Sequence, residues 1–75
     1  MANVWQRLSP TSLPDYDAMA RAVEAKHGLY AAEIADFFAA VHQENGDHDR
    51  SGAWADVAER VRERAEQRLS EQRNP

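Results

Sequence analysis

The chain has no cysteine. Disulfides therefore add nothing to its stability, and cysteine-based zinc ribbons and fingers are excluded. No apolar run approaches the roughly 20 residues needed to span a bilayer. Met1-Ala2-Asn3-Val4-Trp5 lacks the basic and apolar stretches of a secretory leader, so a cytoplasmic protein is expected. No segment alternates with the period of a strand, and there is no internal repeat. A glycine-rich phosphate loop is also missing. The serines Ser9, Ser12, Ser51 and Ser70 fall at expected caps or ends with no base beside them, so no nucleophile–base pair is visible. A non-enzymatic protein without a cofactor is the expectation. Seventy-five residues form a single helical domain, 1–75, whose core leaves only a few kcal/mol to spare.

Glycine and proline are scarce, three of each, so each is informative punctuation. Gly28 and Gly46 divide the chain into three amphipathic segments. The first is expected at about 13–27, capped by Ser12 with Pro14 and Asp15 in its opening turn. Its apolar stripe is Tyr16, Met19, Ala20, Val23 and His27. The second is expected at about 30–44, with Ile34, Phe37, Phe38 and Val41 as its apolar face and Ala31 and Ala35 allowing close approach. The third is expected at about 50–69, capped by Asp49 or Ser51, with Trp54, Val57, Ala58, Val61, Ala65 and Leu69 in one stripe. Asp56–Arg60 and Arg62–Glu66 are spaced for ion pairs along that helix. Residues 1–12 form an N-terminal arm whose Trp5 docks on the bundle, and 70–75 a frayed tail. The fold class is all-α, a small three-helix bundle with a short N-terminal docking segment.

Charge is unevenly distributed within a net −4. Residues 1–49 hold eight carboxylates against three cations, whereas residues 50–75 hold six arginines against five acids. The first two helices thus present an acidic surface. Such a field repels phosphate backbones and attracts basic protein surfaces. The bland alternative is solubility alone. The candidate partner-binding residues are Asp15, Asp17, Glu24, Glu33, Asp36, Glu44, Asp47 and Asp49.

Other constellations carry less. Asp47-His48-Asp49-Arg50-Ser51-Gly52 imitates the first half of a calcium loop, but position twelve is Ala58 where a bidentate glutamate is required. His42, Glu44, Asp47, His48 and Asp49 cluster in sequence without the rigidity of a metal site. Glu24-Ala25-Lys26-His27 is one Glu-x-x-His unit where a di-iron bundle needs two. No metal ligand is assigned. The arginines Arg60, Arg62, Arg64 and Arg68 are interrupted by Glu59, Glu63 and Glu66, which disfavours direct nucleic-acid binding. They read as a salt-bridged solvent face or a contact to an acidic partner. Of Trp5, Phe37, Phe38 and Trp54, at least three are expected in the core. Phe37 and Phe38 point about 100° apart, so one of them is available for an exposed contact.

The spacing His27-Gly28, an apolar helix, then Gly46-Asp47, Gly52 and Trp54 resembles a family of very small, uncharacterised helical domains of alphaproteobacteria, over about residues 19–69. That resemblance implies a fold and no activity. In size, acidity and absence of chemistry the chain is similar in type to small phage or mobile-element inhibitors such as anti-CRISPR proteins. The function expected is an inhibitor or adaptor that docks an acidic face on a basic, nucleic-acid-binding protein. The alternatives are a regulatory or structural helical domain acting as a homodimer, and a small metal-binding protein.

Overall fold

The computed structural model describes residues 15–73. The expected arm 1–12, with its Trp5 contact, and the Ser12 cap lie outside the described residues. Among the described residues every regular element is helical. Helix α1 spans Tyr16–His27, a 3-10 turn spans Gly28–Tyr30, α2 spans Ala31–Glu44 and α3 spans His48–Arg73.

Each boundary has a local cause. The Asp15 carboxylate accepts from the Ala18 N–H at 2.9 Å, so Asp15 is the N-cap of α1 and the helix opens at Tyr16, later than the expected 13. Asp17 in the first turn and Lys26 and His27 in the last complement the helix dipole. Gly28 takes φ +59° and donates its N–H to the Glu24 carbonyl. The chain does not then leave for a loop. It passes through the 3-10 turn straight into α2, so helical residues run unbroken from Tyr16 to Glu44. The expected separation of two helices at Gly28 is corrected to a continuous helical path, in which a 3-10 turn reverses the chain and joins α1 to α2 without a loop. The physical reason is that Leu29-Tyr30-Ala31 contains no helix breaker and no capping side chain. Leu29, which a glycine stop commonly folds back on the preceding turn, is instead 98% exposed.

The end of α2 is a true stop. Gly46 at φ +78° donates to the Gln43 carbonyl at 3.1 Å, and the Asp47 N–H donates to the His42 carbonyl at 2.8 Å. These are the two bonds of a Schellman motif, and the positive φ explains the glycine. Asp47 also opens α3, accepting from the Arg50 N–H at 3.1 Å. A single residue therefore closes one helix and starts the next. The expected caps Asp49 and Ser51 are replaced by Asp47, and the expected 50–69 becomes 48–73. The tail is also corrected: residues 70–73 are helical, since Ser70-Glu71-Gln72-Arg73 contains no breaker and Arg73 suits the C-terminal dipole.

Cross-helix contacts set the directions. Along α1, Asp17 meets Arg60 and Glu24 meets Arg64 and Arg68, so α1 runs parallel to α3. Along α2, Asp36 meets Arg62 and the Ser51 hydroxyl donates to the Ala39 carbonyl at 2.8 Å, so α2 runs antiparallel to α3. At 1.5 Å per residue α3 is about 39 Å long and α1 about 18 Å, so α1 accompanies only the half of α3 around Arg60–Arg68.

The core between them is Ala20, Val23, Ala31, Ala35, Val57, Ala58 and Val61. Tyr16, Met19, Ala32 and Trp54 pack on it half-buried. Four of the seven core residues are alanine, so the helices meet almost backbone to backbone. This corrects the expected face of α2. Ala31 and Ala35 are fully buried, while Phe37 is 60% exposed and Ile34 and Val41 lie at the flank. The α3 stripe holds from Trp54 to Val61 and then leaves the core, because Ala65 and Leu69 are exposed.

An alanine interface is intolerant of volume. Ala35→Leu should lower stability by about 1–3 kcal/mol through overpacking. Ala40→Leu, on the exposed side of the same helix, should change it by less than about 0.5 kcal/mol. Urea unfolding of the two variants checks this, and equal midpoints would remove the alanine interface.

Candidate functional site

The eight candidate carboxylates do not share one surface. Asp15 and Asp47 are helix caps. Asp17 pairs with Arg60 at 3.4 Å. Asp36 is held by Arg62. Glu24 takes both Arg64, whose Nε lies 3.0 and 3.2 Å from the two carboxylate oxygens, and Arg68. Only Glu33, Glu44 and Asp49 are exposed without a cap role or an ion pair among the described residues.

The arginines of α3 are thus connectors between helices. Arg60, Arg64 and Arg68 follow i, i+4, i+8 spacing and face α1; Arg62 faces α2. The expectation of a salt-bridged solvent face or a contact to an acidic partner does not include this cross-helix role. The usable signal was the match between that spacing and the i, i+7 spacing of Asp17 and Glu24 on α1. The expected Asp56–Arg60 and Arg62–Glu66 pairs are replaced. Arg60 lies near Glu63 at 3.9 Å and Arg62 near Glu59 at 3.7 Å.

These pairs are unequal. Glu24 is 15% exposed and Arg64 30%, whereas the Asp17 and Arg60 side chains are about half in water. Screening by water reduces the second pair to a weak surface contact. The first is charge-assisted, doubly hydrogen-bonded and partly shielded. Glu24 is fully engaged, which removes it from the Glu-x-x-His unit.

The segment that imitates a calcium loop is the cap and first turns of α3. Asp47 is the cap, and His48 through Gly52 are already helical. A calcium loop would wrap its acids around an ion, whereas a helix spreads them along its surface. Among the described residues no three His, Asp or Glu side chains are close enough to hold a metal ion. Among the described residues, two surface depressions of about 360 and 340 Å³ lie along α3 and are lined by Glu63, Glu66, Gln67 and Ser70, and by Glu66, Leu69, Ser70 and Arg73. Each is walled by one helix alone, which gives no enclosure for a small ligand.

The aromatics divide. Phe38 and Trp54 are half-buried with ring centroids 4.8 Å apart and planes at 50°, a tilted pair that closes the lower part of the α2–α3 contact. Phe37 stands 6.1 Å from Phe38 and faces solvent. Trp5 is outside the described residues.

Two predictions follow from this geometry. A double-mutant cycle between Glu24→Gln and Arg64→Met should give a coupling of about 1–2 kcal/mol that persists in 0.5 M salt. The same cycle for Asp17 and Arg60 should give under about 0.5 kcal/mol; equal couplings would refute the ranking. Gly52→Ala should raise the melting temperature, by about 1 kcal/mol of stability, since Gly52 is helical and a Cβ there would meet nothing within 4 Å. A calcium-loop conformation at Gly52 would make that substitution destabilising.

Searches against protein-family models, curated proteins and solved structures return no match for this chain.

Proposed function

We propose that this chain is a non-enzymatic interaction module, an inhibitor or adaptor that docks an acidic helical surface on a basic protein of the nucleic-acid-binding kind, in the cytoplasm. One observation supports the reading above the others. α2 carries Glu33, Asp36 and Glu44 and not one lysine or arginine, and only Asp36 is matched by a cation of α3. The negative charge left on this helix is therefore open to a partner. A phosphate backbone is repelled by the same field, which favours a protein as the partner. In this reading Asp17, Glu24, Asp36 and Asp47 hold the scaffold, and Glu33 and Glu44 meet the partner.

The test is affinity capture from nuclease-treated lysate at low and high salt, read by mass spectrometry. A stoichiometric basic protein should be retained at low salt and lost at high salt. Glu33→Lys with Glu44→Lys should weaken its binding at least about tenfold and flatten the salt dependence, while leaving the melting temperature unchanged. Asp36 is a poor probe, because its reversal also breaks a contact to α3. Absence of a basic partner at both salts, or an affinity indifferent to charge reversal, would overturn the proposal.

A further inference from the structure

The buried side of α2 is Ala31 and Ala35, flanked by Phe38. At 100° per residue, Glu33, Glu44, Phe37, Val41 and Ile34 of α2 follow one another, in that order, around a sector of about 100°, and Tyr30 of the 3-10 turn immediately precedes the helix. That sector is centred roughly 130° away from the core-facing one. α2 therefore has two apolar faces, and the fold uses the one made of alanine. The other presents Phe37 at 60% exposure, with Ile34 and Val41 half-buried beside it and Tyr30, 68% exposed, just before the helix. Ile34, Phe37 and Val41, at i, i+3 and i+7, have the spacing with which one helix fills an apolar groove of a partner.

The charge at the edge of this face selects among occupants. Glu33 and Glu44 border Phe37, are exposed, and have no ion pair among the described residues. No lysine or arginine lies anywhere on α2 to neutralise them. A second copy packed face to face would bring four carboxylates together at a desolvated rim, which costs free energy. An anionic bilayer would repel the same rim. A groove with an apolar floor and a lysine- or arginine-rich edge satisfies both features at once.

We propose that the Ile34–Phe37–Val41 face of α2, together with Tyr30 of the preceding 3-10 turn, is the docking surface, and that its partner is an apolar protein groove bordered by basic side chains. The inference rests on the interaction-module reading and narrows it. Recognition is by exposed aromatics, with Glu33 and Glu44 setting charge selectivity. Phe37 is the central anchor, since large aromatic side chains buried at the middle of a contact dominate its affinity.

The full chain, isotopically labelled, would be titrated by NMR with two synthetic amphipathic helical peptides. One has a leucine face and a lysine face; in the other, glutamates replace the lysines. The leucine–lysine peptide should perturb resonances of Tyr30, Glu33, Ile34, Phe37, Val41 and Glu44, and the leucine–glutamate peptide should not bind. Phe37→Ala should weaken the leucine–lysine peptide at least about tenfold without a change in melting temperature, given its exposure. Glu33→Gln with Glu44→Gln should weaken it by about three- to tenfold and remove its salt dependence. Equal binding of both peptides, perturbations mapping to α1 or α3 alone, or sedimentation showing that the chain alone dimerises through Phe37 would each overturn the assignment. The two levels of inference fail differently. A basic protein captured from lysate that binds the Phe37→Ala chain undiminished removes this face and leaves the module. No captured basic protein removes the module, whatever the peptides do.

Discussion

The close approach of alanine surfaces is the constraint on which the rest of the molecule depends. Ala20, Ala31, Ala35 and Ala58 are fully buried, and the largest completely buried side chain is Val57. Such a core removes little apolar area from water per residue, so hydrophobic burial alone leaves a thin margin of stability. It does bring helix axes close together. At that separation the long side chains at the edges of the contact can cross from one helix to the next, and the arginines of α3 reach carboxylates on both α1 and α2.

Polar contacts in this fold accordingly do work that larger side chains do elsewhere. The Glu24 cluster with Arg64 and Arg68 ties the last turn of α1 to the outer half of α3. The Ser51 hydroxyl, bonded to the Ala39 carbonyl and 3.3 Å from Gln43 Oε1, ties α2 to the start of α3. Asp47 joins the Schellman end of α2 to the cap of α3 across the three-residue turn Asn45–Asp47. Each is directional, so together they set rotation and register, which a smooth alanine surface specifies weakly. Buried polar side chains without partners are absent among the described residues, as such a scheme requires.

The same division of labour shapes the surface. Carboxylates that lock helices together are neutralised and give little to a partner. Those that lock nothing retain their field. Because the alanine face of α2 is turned inward, Phe37 is left exposed beside the two unmatched glutamates, with Ile34 and Val41 half-buried next to it. In the proposed reading, stability and recognition fall on different sides of one helix, and substitutions on one side are expected to leave the other largely intact.

Local chemistry was legible in the sequence. The all-helical class, the approximate places of the helical segments, the Gly46 stop, the Trp54–Val61 stripe and the split between Phe37 and Phe38 follow from periodicity, capping residues and backbone preference. These act within a turn or two of the chain. The continuity through Gly28, the extension of α3 to Arg73 and the pairing of Asp17, Glu24 and Asp36 with α3 were decided only by the tertiary structure. Periodicity states that α2 has apolar sectors but not which one is buried, because Ile34-Phe37-Val41 and Ala31-Ala35-Phe38 both satisfy it. That choice depends on how closely a second helix can approach, a property of two surfaces in contact that no single segment of sequence contains.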